Sequence, residues 1–340
     1  MPRKILIVGP SWVGDMVMAQ SLFLKLKENA PDCLIDVLAP AWTFGLLERM
    51  PEVNWATAMP LTHGQFGLLE RVRLGKQLRS EAYTQAIVLP NSWKSALPPF
   101  FAGIPVRTGY VGECRWGLLN DARKLDKQQL TMTVQRFVAL GLPSSTPLPP
   151  PCPTPRLSIS LAQQQAVIAK FKIIHTTKIL ALCPGAEYGE AKRWPGGHFA
   201  ELARHQISMG WQVWLFGSEK DQDIAKQINQ ATQNTCIDFT GRTSLAEAVD
   251  LLSLAHSVVS NDSGLMHIAA ALDKPVIALY GSSDPTFTPP LNPQARIISL
   301  NLACSPCFQR VCPLYPVGHG NHTHCLTGIK PERVLELLPP

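Results

Sequence analysis

Short apolar runs alternating with helix-period stripes predict an α/β protein with parallel sheets. Three observations predict two such domains. Each half of the chain opens with a strand-like run that enters a Gly-, Ser- or Asp-bearing turn and then a helix. A proline-rich stretch lies between the halves. The 340 residues suit two domains at about 100–200 residues each. The expected division is residues 1–150 and 151–330, with a terminal helix within 331–340.

Residues 3–8 read as the first strand, which ends in Gly9-Pro10-Ser11-Trp12-Val13-Gly14-Asp15. Met16, Ala19, Leu22, Phe23 and Leu26 then recur at helical spacing. Residues 34–38, after Pro31-Asp32, and residues 86–89, before Pro90-Asn91-Ser92, are further strand-like runs. Residues 142–156 hold seven prolines, which neither a helix nor a central strand tolerates. That composition predicts an extended, semi-rigid linker.

The pattern then restarts. Residues 178–183 form a strand entering Pro184-Gly185-Ala186-Glu187, and residues 199–209 a helix stopped by Gly210. Residues 211–216 form a strand entering Gly217-Ser218-Glu219-Lys220-Asp221, and residues 245–255 are helical. Residues 257–260 form a strand entering Asn261-Asp262-Ser263-Gly264, followed by a helix over 265–272. Residues 275–280 form a strand entering Gly281-Ser282-Ser283-Asp284-Pro285. Four polar strand ends thus share one sheet edge, the carboxyl edge at which open α/β sheets bind ligands.

Composition removes several classes. With 46% hydrophobic and 16% charged residues, the chain is far from the signature of disorder. No apolar run reaches the roughly 18 residues of a membrane span, and the first is too short for a signal peptide. A cytoplasmic protein is expected. The net charge of +6, from 31 basic and 25 acidic residues, is scattered along the chain. It gives no nucleic-acid footprint and suits an anionic substrate or the inner leaflet of a membrane.

The sharpest local feature is Asn261-Asp262-Ser263-Gly264-Leu265-Met266-His267, a strand running through a polar turn into a helix. Asp262 or Ser263 can cap that helix, or its free amides can hold a phosphate. In Glu187-Tyr188-Gly189-Glu190-Ala191-Lys192-Arg193-Trp194-Pro195, Lys192 offers a point charge to a phosphate or sugar oxygen, against the alternative of a solvated Lys-Arg pair. The loop at Gly9 lacks G-x-G-x-x-G, so a dinucleotide site has little support. Asp15 is either a helix cap or a carboxylate placed to accept a proton. Cys304-Ser305-Pro306-Cys307, Cys312 and Cys325 follow a C-x2-C-x4-C-x12-C spacing that allows a zinc site, disulfides or free thiols. Of the histidines, His198 and His267 lie near helix starts of interest, while His63, His175, His205 and His256 have no partner visible in sequence.

Taken together, Gly9-Pro10-Ser11-Trp12-Val13-Gly14-Asp15-Met16, Ala39-Pro40-Ala41-Trp42, Pro90-Asn91-Ser92-Trp93-Lys94-Ser95, Arg107-Thr108-Gly109, Cys183-Pro184-Gly185-Ala186-Glu187, Ala191-Lys192-Arg193-Trp194-Pro195 and the Asn261–His267 motif resemble the lipopolysaccharide heptosyltransferases. The motifs stand in the family's order over nearly the whole chain. The segment at Pro90 favours the branch that adds the second heptose, with addition of the first or a later heptose as alternatives. A nucleotide-sugar epimerase or a non-catalytic sugar-nucleotide binder are more distant readings.

The resemblance implies a GT-B glycosyltransferase, two Rossmann-like domains facing across a cleft, with the acceptor in the N-terminal half and the donor in the C-terminal half. The last helix, over 331–338, is expected to pack back on the first domain. The implied reaction moves L-glycero-D-manno-heptose from ADP-heptose to heptosyl-Kdo2-lipid A, with inversion, at the inner face of the inner membrane. No cofactor or metal is expected. Asp15 matches the family's base. Lys192 and the Ser263-Gly264-Leu265 amides would meet the pyrophosphate, with Met266 and His267 on the same helix. Asp262 would hold heptose hydroxyls, Asp221 the ribose, and Thr243 the adenine, while Ala186 and Glu187 would line the phosphate loop. Ser11, Trp12, Asn91, Lys94 and Arg107 are the acceptor candidates.

Overall fold

A computed structural model describes residues 3–62, 64–174 and 176–339, so His63 and His175 lie outside the described residues. The chain divides into two compact units, Met1–Leu157 and Ser158–Pro340. In the first unit the strands are β1 (Lys4–Val8), β2 (Leu34–Ala39), β3 (Val53–Ala58), β4 (Gln85–Val88), β5 (Val106–Tyr110) and β6 (Asp121–Arg123). Its helices are α1 (Val13–Asn29), α2 (Phe44–Leu47), α3 (Leu68–Leu78), α4 (Leu97–Phe101) and α5 (Thr133–Leu140). In the second unit the strands are β7 (Ile179–Cys183), β8 (Gln212–Leu215), β9 (Ile237–Asp238), β10 (Ser257–Asn261), β11 (Val276–Tyr280) and β12 (Arg296–Ser299). Its helices are α6 (Leu161–Phe171), α7 (Gly196–Ser208), α8 (Gln222–Ala231), α9 (Leu245–Leu252), α10 (Gly264–Ala271), α11 (His324–Thr327) and α12 (Pro331–Leu335).

Both sheets are parallel and wound the same way. The first runs β3-β2-β1-β4-β5-β6 and the second β12-β11-β10-β7-β8-β9, which is the Rossmann order read from β7. Central strands of such sheets are covered on both faces and so read as continuous apolar runs. Every residue of β7, β10 and β11 is buried, as are Ile5–Val8 of β1. Edge strands lack this signal. In β3, Asn54, Trp55 and Ala58 are exposed, and pairing with β2 defines the strand. The core of the second unit includes Leu180, Leu182, Trp194, Phe199, Val259 and Leu279.

The expected linker belongs largely to the first unit. Buried Gln20 of α1 clasps the end of the proline-rich segment: its Nε2 donates to the Arg156 carbonyl at 2.6 Å, and its Oε1 accepts from the Arg156 amide at 2.9 Å. Arg123 donates to the Leu142 carbonyl at 2.7 Å, so the segment is held at both ends. An extended, proline-rich backbone cannot pair with itself, and these side chains supply its partners. The division therefore falls after Leu157 rather than at 150. The C-terminal helix packs on α7, and Val334 lies in the second unit's core.

Gln20→Ala removes both bonds to Arg156 and leaves two backbone groups without partners. It is expected to lower the stability of the first unit by about 2 kcal/mol, read by urea denaturation.

Candidate functional site

In each sheet the strand order reverses between two central neighbours, β1 and β4 in one, β7 and β10 in the other. Loops leaving those strands diverge at the carboxyl edge, which is where open α/β sheets hold ligands. Most of the residues selected from the sequence fall at these two points.

In the second unit, Asn261 ends β10 with a wholly buried side chain. Its Nδ2 donates to the Pro184 carbonyl at 2.8 Å, and its Oδ1 accepts from the Trp194 amide at 3.0 Å. One carboxamide thus ties β10 to the loop after β7 and to the turn carrying Lys192. Trp194 is itself fully buried, and its Nε1 donates to the Ile329 carbonyl at 2.9 Å. The anchored turn brings the Lys192 ammonium within 2.5 Å of Asp262 Oδ2. Their side chains are only 19% and 7% exposed, so this pair is shielded from solvent far better than a surface salt bridge.

Helix α10 begins beside that pair. Ser263 occupies the N-cap position, but its side chain makes no capping bond and lies 3.1 Å from Ser260 Oγ. Neither Asp262 nor Ser263 is therefore a side-chain cap, and the first-turn amides keep their partial positive charge for another partner. Ser263, Gly264 and Leu265 are half-buried at this end. Met266, by contrast, is a core residue whose sulfur lies 3.6 Å from the Tyr280 hydroxyl, so its side chain presents nothing to a ligand. His267 is buried too. Burial pushes its pKa down to about 4, with Asp262 opposing the shift and Lys192 adding to it. His198 packs edge-on against Trp194.

The neighbouring loops are more committed than their sequence suggests. Arg193 is not a solvated cation: its guanidinium donates to the Ala186 carbonyl at 3.2 Å and lies 3.4 Å from Asp221 Oδ1. Asp221 also accepts from the Ser218 amide at 2.9 Å and its hydroxyl at 2.8 Å. A Cβ at Gly185 would come within 2.4 Å of this carboxylate, so glycine there permits the approach. Asp221 thus shapes the wall of the β7 loop. Glu187 is exposed and paired with Lys220. Thr243 stands just before α9, beyond edge strand β9, two strands away from β7.

In the first unit, Asp15 is not a cap. Helix α1 has Trp12 as N-cap, and Asp15 sits partly exposed in the first turn, where the helix end favours its negative charge. Ser11 and Trp12 are exposed on the same loop. Asn91 is exposed, and Lys94 half-buried, on the loop after β4. Buried Arg115 braces that loop by donating to the Pro90 carbonyl at 2.7 Å and to the Tyr110 carbonyl. Arg71 holds the adjoining loop through the Phe66 and Lys94 carbonyls at 2.7 and 3.0 Å. Arg107 does not join this group. It lies in the amino half of β5, and its guanidinium donates to the Leu118 and Ile104 carbonyls, both at 2.7 Å. Those bonds make it a brace between loops.

The family model for glycosyltransferase family 9 (heptosyltransferase) matches residues 71–317. The chain belongs to this family. Lipopolysaccharide heptosyltransferase 2 of Salmonella typhimurium is 48% identical over 98% of this chain and 97% of its own length. The enzyme of the same name from Escherichia coli is 47% identical with the same coverage. The solved structure of E. coli ADP-heptose LPS heptosyltransferase II superposes with a TM-score of 0.86, at 45% identity, over 98% of this chain and 97% of that one. The fold is GT-B, and the chain is a glycosyltransferase. In this family 9 glycosyltransferase, sequence reading alone passes over Asn261, Arg193 and Arg115 as functional supports. Asn261 stands inside a motif selected for its neighbours, and a buried carboxamide at a strand's end is the signal that could have marked it.

Asn261→Ala leaves the Trp194 amide and Pro184 carbonyl unpaired and should cost about 2–4 kcal/mol in denaturant unfolding. His267 gives a pH signature. The folded state refuses a proton that the unfolded chain accepts near pH 6.5, so its contribution is full above that pH. It is lost as pH falls toward 4, by about 3 kcal/mol in all. His267→Leu should flatten the stability–pH curve in that window.

Proposed function

We propose that the chain transfers L-glycero-D-manno-heptose from ADP-heptose to the first heptose of the lipopolysaccharide inner core, inverting the anomeric carbon. The observation that carries this reading is the Lys192–Asp262 pair beside the uncapped start of α10, at the reversal point of the second sheet. The names of the two enteric relatives support the same reaction.

In the proposed reaction an acceptor hydroxyl oxygen bonds to the anomeric carbon as the bond to the β-phosphate oxygen breaks. The hydroxyl proton goes to Asp15, a partly exposed carboxylate in the first turn of α1. The charge developing on ADP is met by the Lys192 ammonium and the amides around Ser263, Gly264 and Leu265. Asp262 orients both Lys192 and the heptose hydroxyls. Ala186 and Glu187 border the phosphates, Asp221 the ribose and Thr243 the adenine.

For the acceptor, Ser11, Asn91 and Lys94 offer polar groups, Lys94 toward Kdo carboxylates or lipid A phosphates. Exposed Trp12, Trp42, Phe66 and Trp93 follow β1, β2, β3 and β4, so the carboxyl edge of the first sheet is aromatic. Such amphipathic rings suit a glycolipid presented at the inner face of the inner membrane. No helix among the described residues is long and apolar enough to cross a membrane, so the proposed contact is peripheral.

Asp15→Asn should lower kcat by about 1,000-fold while ADP binding, read by calorimetry, stays unchanged. A near wild-type rate would remove Asp15 as the base. Lys192→Ala should weaken ADP-heptose capture by about 10–100-fold, the loss expected for a charged hydrogen bond. Heptosyl-Kdo2-lipid A should be heptosylated in preference to Kdo2-lipid A. Preference for the latter would assign the first heptose instead, and epimer formation from ADP-heptose alone would point to an epimerase.

A further inference from the structure

Residues 300–323, between β12 and α11, carry no helix or strand. A segment of that length inside a compact unit is uncommon and needs something to hold it. Its apolar side chains do not, since Phe308, Val311, Leu314 and Val317 are exposed. Its cysteines are gathered instead. Cys304, Cys307 and Cys312, with Cys325 from α11, line one cavity of about 310 Å³, and none is in a disulfide. Four sulfurs lining one cavity can close around a single cation.

From this geometry we infer that Cys304, Cys307, Cys312 and Cys325 form a four-thiolate site for one transition-metal ion, zinc or iron, which braces the donor turn. Four sulfur ligands in a C-x2-C-x4-C-x12-C spacing select those metals over harder ions. Binding releases the thiol protons to solvent and changes no oxidation state. Among the described residues no three Cys, His or acidic groups are already drawn together as around a bound ion, so the loop contracts as it binds.

The bracing role follows from where this loop is fastened, and it rests on the donor reading above. The Phe308 amide donates to the Ser282 carbonyl, and the Phe308 carbonyl accepts from the Tyr188 hydroxyl, both at 2.7 Å. The Ala191 amide donates to the Arg310 carbonyl at 3.1 Å, and His322 Nε2 lies 3.2 Å from Glu190. The Arg310 guanidinium and the Lys192 ammonium each lie 5.2 Å from the Tyr188 ring centroid. A Cβ at Gly189 would fall 2.5 Å from the Arg310 carbonyl oxygen. Residues 188–192 are thus backed by the cysteine loop, and Lys192 moves when that backing is lost.

Elemental analysis of the full chain, purified under reducing conditions without chelator, should find about one zinc or iron per chain. Cys307→Ser and Cys312→Ser should lose it. Stripping the wild-type protein with a chelator should weaken ADP binding, read by calorimetry, by about 10–100-fold, with recovery on adding back zinc or ferrous iron. This arm needs no variant that might misfold. Four freely titrating thiols with no metal, or two disulfides by mass spectrometry, would overturn the site. Metal present but ADP affinity unchanged on its removal would overturn the brace. If the metal-loaded protein binds no ADP at all, the donor reading fails while the metal content upholds the site.

Discussion

The second unit depends on the carboxamide of Asn261. In an all-parallel sheet no hairpin joins adjacent strands, so the loops at the carboxyl edge are independent unless side chains tie them together. Asn261 does this with one donor and one acceptor, facing Pro184 on one side and Trp194 on the other. Both groups are satisfied inside the protein, which is the condition under which a buried amide rigidifies its surroundings. The position of the Lys192 ammonium follows from that tie, and so does its meeting with Asp262.

The first unit solves the same problem with arginines. Arg115 links the loop after β4 to the end of β5, Arg71 links the loop before α3 to that after β4, and Arg107 links the approach to β5 to the turn before β6. Burial holds all three guanidinium pKa values below their ordinary range. A guanidinium reaches several carbonyls at once from a fixed plane, and lysine could not replace it at these places.

How much of this was legible in the sequence follows from what each feature needs. Strands β1, β7, β10 and β11 are covered on both faces and announce themselves as apolar runs. Strands β3, β6 and β9 lie at or near sheet edges, and neighbours rather than composition define them. Lys192, Asp262 and Ser263 could be selected because turn chemistry is local. The commitments of Arg107, Arg193 and Asp221 could not, because the Arg107–Leu118 and Arg193–Asp221 contacts span 11 and 28 positions. The proline-rich segment was recognisable as extended, but its docking depends on a glutamine far upstream.

That glutamine has a consequence for how the chain is made. The contact from Gln20 to Arg156 spans 136 positions, nearly the whole first unit. Every strand pairing in that unit is also parallel, so early folding has no hairpin to lean on. On a ribosome, the Gln20 amide can meet Glu52 early, at 3.0 Å, but its bonds to Arg156 wait until residue 156 has left the exit tunnel. Closing the clasp therefore marks completion of the first unit, when synthesis of the second is already under way.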